Sequence, residues 1–231
     1  MVFSAHLDRF TRLTDWPAFI CRPRGIWISE LFAFAAWAWE YGVTRVVESG
    51  VAQGQSSELL SWCFDAGAVT SIDHAMDDEM DARLRTWTVV PWHGAAQVLA
   101  PIGVSAAVLD GRRVAVLLDG PKGEPAVELG LRCLELGASF FAVHDTYRCA
   151  QAPNAGRARL DAEGIPPRWT WATDDTGFVT TYAPLDAHVD GLDEAGNGKS
   201  PYMLHHHGRD IPMESYGPTL AFLFAGVANG A

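Results

Sequence analysis

Four apolar runs in the chain each end in an acid: TRVVE at Glu48, VTSID at Asp73, RVAVLLD at Asp119 and SFFAVHD at Asp145. A carboxylate at the end of a buried strand can accept both hydroxyls of a diol, face a cation or hold a hard metal ion. Two of these acids have a basic neighbour. Lys122 follows Asp119 in LLDGPKG, and His144 adjoins Asp145, so each carboxylate has a proton carrier at hand. After the first acid runs SGVAQGQSS, in which Gly50 and Gly54 punctuate a turn and Ser56 and Ser57 follow it.

The turn reads ExGxxxG, not the GxGxxG of dinucleotide folds. In the dinucleotide turn, glycines bring backbone N–H groups against a pyrophosphate at a helix N-terminus. Here Glu48 would repel a pyrophosphate, and Gly50 would open room for a ligand lying over the strand end. Asp73 ends the next strand, where such folds place an acid on a ribose diol. A ribose, a positive centre and no pyrophosphate together describe S-adenosylmethionine. The competing reading of Gly50 and Gly54 is a tight strand-to-helix turn that holds no ligand.

To bring these residues together the chain needs a parallel sheet. Strand-like runs at 44–48, 69–73, 86–91, 113–119 and 139–145 alternate with helical runs at 57–65 and 125–136, and 96–101 begins another helix or loop. Near-continuous apolar strands separated by helices predict an α/β, doubly wound sheet covered on both faces. Right-handed crossovers then put every C-terminal strand end on one rim, where the four acids would stand in register. The greasy 27–39 is too short to span a bilayer and is interrupted by Glu30, so it predicts a packed helix. Past Thr146 the sequence turns polar, with strand-like 168–172 and 177–183, a Gly/Asp/Asn-rich loop at 186–200 and a last apolar strand at 219–225. The expectation is one domain: an N-terminal helical cap over 1–42, a core over 43–146 and substrate-side elements over 147–231.

Four stretches, in order from Glu48 to Thr146, resemble class I S-adenosylmethionine-dependent methyltransferases, nearest to the catechol O-methyltransferase type and the cephalosporin-hydroxylase-like small-molecule group. ESGVAQGQSS resembles the cofactor turn and SIDHAM the ribose-binding strand end. HGAAQ (93–97) resembles the segment beside adenine, and LLDGPKG with FAVHDT resembles the metal-and-substrate edge. The resemblance covers a little under half the chain. It implies a Rossmann-like, mostly parallel seven-stranded sheet and an O-methyltransferase for a small hydroxylated acceptor. Carried over, Glu48, Gly50, Gly54 and Ser56 would form the cofactor turn at the methionine end. Asp73 would take the ribose, and Gln97 would lie near the adenine or else be a solvated residue at a helix start.

On the reactive edge the resemblance gives Asp119 a divalent metal and makes Lys122 the general base for the acceptor hydroxyl. Asp145 would be a second metal ligand, with Thr146 beside it. Mg²⁺ takes hard oxygen ligands and lowers the pKa of a bound hydroxyl. The chain departs from both patterns, with Asp145-Thr146 where the catechol type has Asp-Asn and His144-Asp145 where the other group has Glu-Asp. Thr146 is a poorer Mg²⁺ ligand than Asn, and His144 suits Mn²⁺, Fe²⁺ or Zn²⁺ better unless it packs under the sheet. Without a metal, His144 or Lys122 would serve as base with Asp145 orienting it; Lys122 also reads as a solvated loop lysine. His205 to His207, with Arg209 and Asp210, would shape the acceptor pocket or be adventitious surface residues, and Asp174 and Asp175 are weaker candidates.

A formal net charge of −11 over 231 residues argues against nucleic acid or an anionic membrane as partner. The four cysteines form no CxxC, which fits reduced thiols in the cytoplasm. Nine tryptophans read mainly as core, with Trp16, Trp27, Trp92 and Tyr147 open to a second reading as an aromatic acceptor wall. The N-terminal helix could bury an exposed apolar face in a homodimer. Two rival functions stay open: a binding protein that keeps the fold without transfer, and a metal-dependent oxygenase or hydrolase built on His144, Asp119 and Asp145.

Overall fold

Every side chain of β4 (Val114–Leu118) is buried, because alternate residues face opposite helical layers and neither face meets water. In the computed structural model the described residues are 2–14, 26, 28–144, 170–171, 185, 203–206, 209–212 and 220–225. Val114, Val116 and Leu118 join the core under α5 (Ala96–Leu109) and α6 (Glu124–Glu135). Ala115 and Leu117 join the opposite core, under α1 (Val2–Leu13), α2 (Ile28–Glu40) and α3 (Gln55–Cys63). The same alternation runs through β5 (Phe140–Val143), whose Phe140 and Ala142 face one layer and Phe141 and Val143 the other.

The strands adjoin in the order β3-β2-β1-β4-β5-β9-β6, with β1 at Arg45–Ser49, β2 at Val69–Asp73, β3 at Val90–His93, β6 at Thr170–Trp171 and β9 at Ala221–Phe224. The run from β3 to β5 is parallel, β9 is antiparallel to β5, and the two-residue β6 pairs antiparallel with β9. This is the doubly wound, mostly parallel sheet with helices on both faces that the sequence predicts. A separate ribbon pairs β7 (Met203–His206) with β8 (Arg209–Pro212). The strand-like 177–183 and the 186–200 loop lie outside the described residues, apart from Asp186–Ser200's neighbour Leu185, which is buried.

One expectation needs correction. Residues 86–89 are not strand: Thr86 ends α4 (Asp78–Thr86). That helix is fixed by the Asp77 side chain accepting from Met80 N at 2.7 Å and by the Arg83–Glu79 and Arg85–Asp81 pairs one turn apart. Capping, first-turn acids and these pairs outweigh the β-propensity of TWTVV. On the other side of the sheet, α2 is packed into the core. α1 covers it, with Phe10 edge-on to Phe32 and Phe3 edge-on to Trp37, and all of α2 except Trp37 and Glu40 is buried.

The register sets the rim. Ser49 pairs with Ile72 and Leu118, and Leu118 pairs with Val143. The hydrogen bonds Gly50 N to Ile72 O, Asp119 N to Ser49 O and His144 N to Leu118 O carry the ladder one residue further, each at 2.8–2.9 Å. Asp73, Gly50, Asp119 and His144 therefore stand level, in that order across the sheet. Glu48 does not join them. It pairs with Ser71 and Leu117, inside the sheet, because β1 runs on through Ser49.

Candidate active site

Gly50 takes φ +89°, and a Cβ built on it would lie 2.6 Å from Gly120 N and 2.9 Å from Asp119 C. Its missing side chain is thus required by the approach of the β4 end. The Ser49 hydroxyl donates to Gly120 O across the same contact. Gly54, at φ 78°, caps the start of α3 and lies against Trp87 and Met80.

Asp73 ties this turn to β2. Its Oδ2 accepts from Val51 N at 2.8 Å and Ala52 N at 3.4 Å, and its Oδ1 from Ala75 N at 2.9 Å. Burial alone would push the carboxyl up, but these N–H groups and nearby His74 outweigh it and hold Asp73 below the usual carboxylate range. A pocket of ≈ 120 Å³ opens beside it, lined by Val51, Ala52, Asp73, Met76, Asp77 and Met80 among others. That is below the ~300 Å³ at which pockets begin to enclose a whole drug-sized ligand. Gln97 is exposed near the start of α5 and does not line this pocket.

Glu48 is wholly buried beneath the turn. Its Oε2 accepts from Ser57 Oγ and Ser71 Oγ, both at 2.5 Å, while Oε1 has no hydrogen-bond partner among the described residues. Burial raises its pKa, and the hydroxyls of Ser56, Ser57 and Ser71 only oppose that rise. Ser56 is buried in the first turn of α3. Glu48 is therefore a hydrogen-bonding post under the turn.

Across the rim, Asp119 and His144 form a buried ionic chain with a residue that sequence reasoning passed over. His144 Nδ1 lies 2.6 Å from Asp119 Oδ1, and His144 Nε2 lies 3.1 Å from Glu30 Oε2 on α2. Lys122 Nζ donates to the same Asp119 Oδ1 from the Gly-Pro turn after β4. Burial disfavours a charged imidazole, but Glu30 and Asp119 outweigh it and raise the His144 pKa well above its usual value. Burial likewise raises Asp119, yet His144 and Lys122 prevail and set it well below the usual carboxylate range. The raised pKa favours His144 as an imidazolium, which donates through both nitrogens. His144 does pack under the sheet, on the α2 side.

Among the described residues no group of three or more metal-binding side chains occurs, and Asp119 there contacts Lys122 and His144. Asp145 and Thr146 lie outside the described residues, as do Trp16, Trp27, Tyr147, Asp174, Asp175 and His207. Trp92, partly buried, packs against the α5–α6 core beside Gly103. The β7–β8 register sets His205 opposite Asp210 and His206 opposite Arg209. No described helix is long and apolar enough to cross a membrane. Glu30 escaped sequence reasoning because its partner is distant in the chain; the signal available was an acid inside an otherwise apolar helix.

No protein-family model matches the sequence, and no curated protein matches it. Among solved structures, the chain is similar to a putative O-methyltransferase from Klebsiella pneumoniae at 14% identity and a TM-score of 0.41, covering 73% of this chain and 80% of that one. An O-methyltransferase from Bacillus cereus, solved with SAH, aligns at 12% identity and a TM-score of 0.44 over 96% of this chain and 90% of its own. The MycE methyltransferase of the mycinamycin pathway, solved with Mg and SAH, aligns at 12% identity and a TM-score of 0.44 over 100% of this chain and 56% of its own. Likenesses this distant carry no argument about activity.

Proposed function

We propose that this chain is an S-adenosylmethionine-dependent methyltransferase that methylates a hydroxyl of a small acceptor. The observation that carries the reading is the rim row: Asp73 with its pocket at one end, Asp119 and His144 at the other, and the Gly50 turn between them. When bound, the cofactor supplies a methyl group already activated on a sulfonium, so the protein's work is alignment and deprotonation. Asp73, kept ionised, accepts from the ribose hydroxyls with the lone pairs its backbone partners leave. The first turn of α3, with Ser56, offers donors to the methionine carboxylate. Lys122, half-exposed at the rim, takes the proton of the acceptor hydroxyl in its neutral amine form, whose N–H still donates to Asp119 and so keeps it in place. No step is routed through a metal.

Calorimetric titration of the full chain with S-adenosylhomocysteine, S-adenosylmethionine and NAD⁺ tests this reading. Binding of both sulfur nucleosides and none of NAD⁺ is expected, since the ExGxxxG turn lacks the glycine spacing that brings backbone N–H groups against a pyrophosphate. Absence of heat from both nucleosides, or tight NAD⁺ binding, would overturn it.

A further inference from the structure

Glu30 is the one acid of α2's buried stretch, placed in the first turn of a core helix whose neighbours are apolar or small. Its side chain has no solvent exposure, yet it reaches a residue 114 positions away in the chain. A carboxylate so deep is costly unless a specific partner compensates. The partner here is the His144 ring, whose other nitrogen ends on Asp119 at the rim.

We propose that Glu30 is a positioning residue of the acceptor edge: it fixes the His144 ring by one nitrogen so that the other fixes Asp119, which in turn anchors Lys122. A ring held at a single nitrogen can pivot about that contact, whereas a ring held at both has one orientation. Asp119 Oδ1 receives both His144 and Lys122, so its direction depends on the ring. The helical cap then belongs to the reactive unit instead of only covering the sheet. The inference rests on reading this rim as the acceptor side, and its test is separable from that reading.

The test is nuclear magnetic resonance on the full chain labelled with ¹⁵N-histidine, without ligand. Eight histidines are present, and His144 is assigned by the signals lost in His144→Gln. The wild type is expected to show two downfield ring N–H protons for His144, both slow to exchange with water. In Glu30→Gln the Nε2–H signal should move upfield. The decisive signal is Nδ1–H, which faces Asp119: it should also shift and exchange on the order of ten-fold faster. A merely local role for Glu30 would leave Nδ1–H unchanged, and that result overturns the proposal. If Glu30→Gln does not fold, Glu30→Asp keeps the charge but is one methylene too short, and the same shift at Nδ1–H is expected. A wild-type ring bearing only one N–H would overturn the clamp whatever the variants do. Titration with S-adenosylmethionine gives the separate arm. Glu30→Gln should leave its dissociation constant unchanged, and a weakened one would place Glu30 at the cofactor end instead. A wild type that binds no S-adenosylmethionine would defeat the transferase reading while the ring signals still decide the clamp.

Discussion

Replacing His144 by Gln removes one cation from between two carboxylates, of which Glu30 is fully buried and Asp119 partly so. Breaking a buried pair by deleting one partner costs roughly 3–5 kcal/mol, because the remaining charge keeps its desolvation penalty and loses its compensation. Two features put His144→Gln at the lower end. Gln still offers an N–H, and Asp119 keeps Lys122. A loss of about 3 kcal/mol is expected, which for a chain of this size lowers the unfolding midpoint by roughly 6–12 °C. The burden then falls on Glu30, so adding Glu30→Gln should recover half or more of the loss by removing the stranded charge. Thermal and urea unfolding of the wild type, both single variants and the double variant measure this cycle. A midpoint drop of under about 2 °C for His144→Gln, or a double variant less stable than His144→Gln alone, would refute the reasoning.

Because the His144 pKa is raised on folding, its ionic contribution is full below the unfolded value of 6.5 and is lost as pH rises through the folded one. The stability gap between the wild type and His144→Gln should therefore narrow on going alkaline, read from urea midpoints across that range. Gly50→Ala forces a side chain at φ +89° into the Gly120 backbone; about 1–2 kcal/mol of left-handed strain and 1–3 of overpacking give a loss of roughly 2–5 kcal/mol, measured by urea unfolding. Asp73→Ala should weaken S-adenosylmethionine binding roughly ten- to hundred-fold, through lost charge-assisted hydrogen bonds and a loosened Val51–Ala52 turn, as read by calorimetry. Lys122→Ala should leave that affinity unchanged and slow methyl transfer by roughly 10²–10⁴, as expected for loss of a general base.

What could be read from residues alone follows from range. The layering of the sheet comes from local apolar runs, so β1, β2, β4 and β5 fall within a residue or two of their expected places. β3 starts late because the charged pairs of α4 carry that helix to Thr86, and those pairs are visible in DEMDARLRT when the charge spacing is read beside the β-propensity. Asp73 and Lys122 take rim positions because each follows an apolar strand closely. Glu48 fails that rule. One further strand residue, Ser49, moves it inside the sheet and onto Ser57 and Ser71. The Glu30–His144 contact was invisible because nothing local marks two residues that meet only when a cap helix docks on a sheet.

A structure of the full chain with S-adenosylhomocysteine tests the central claim most directly. The account expects the ribose hydroxyls on Asp73, the base among Met76 and Met80, and the sulfur pointing along the rim toward Asp119 and Lys122. A nucleoside bound elsewhere, or the Asp73 pocket left empty at saturating ligand, would contradict it.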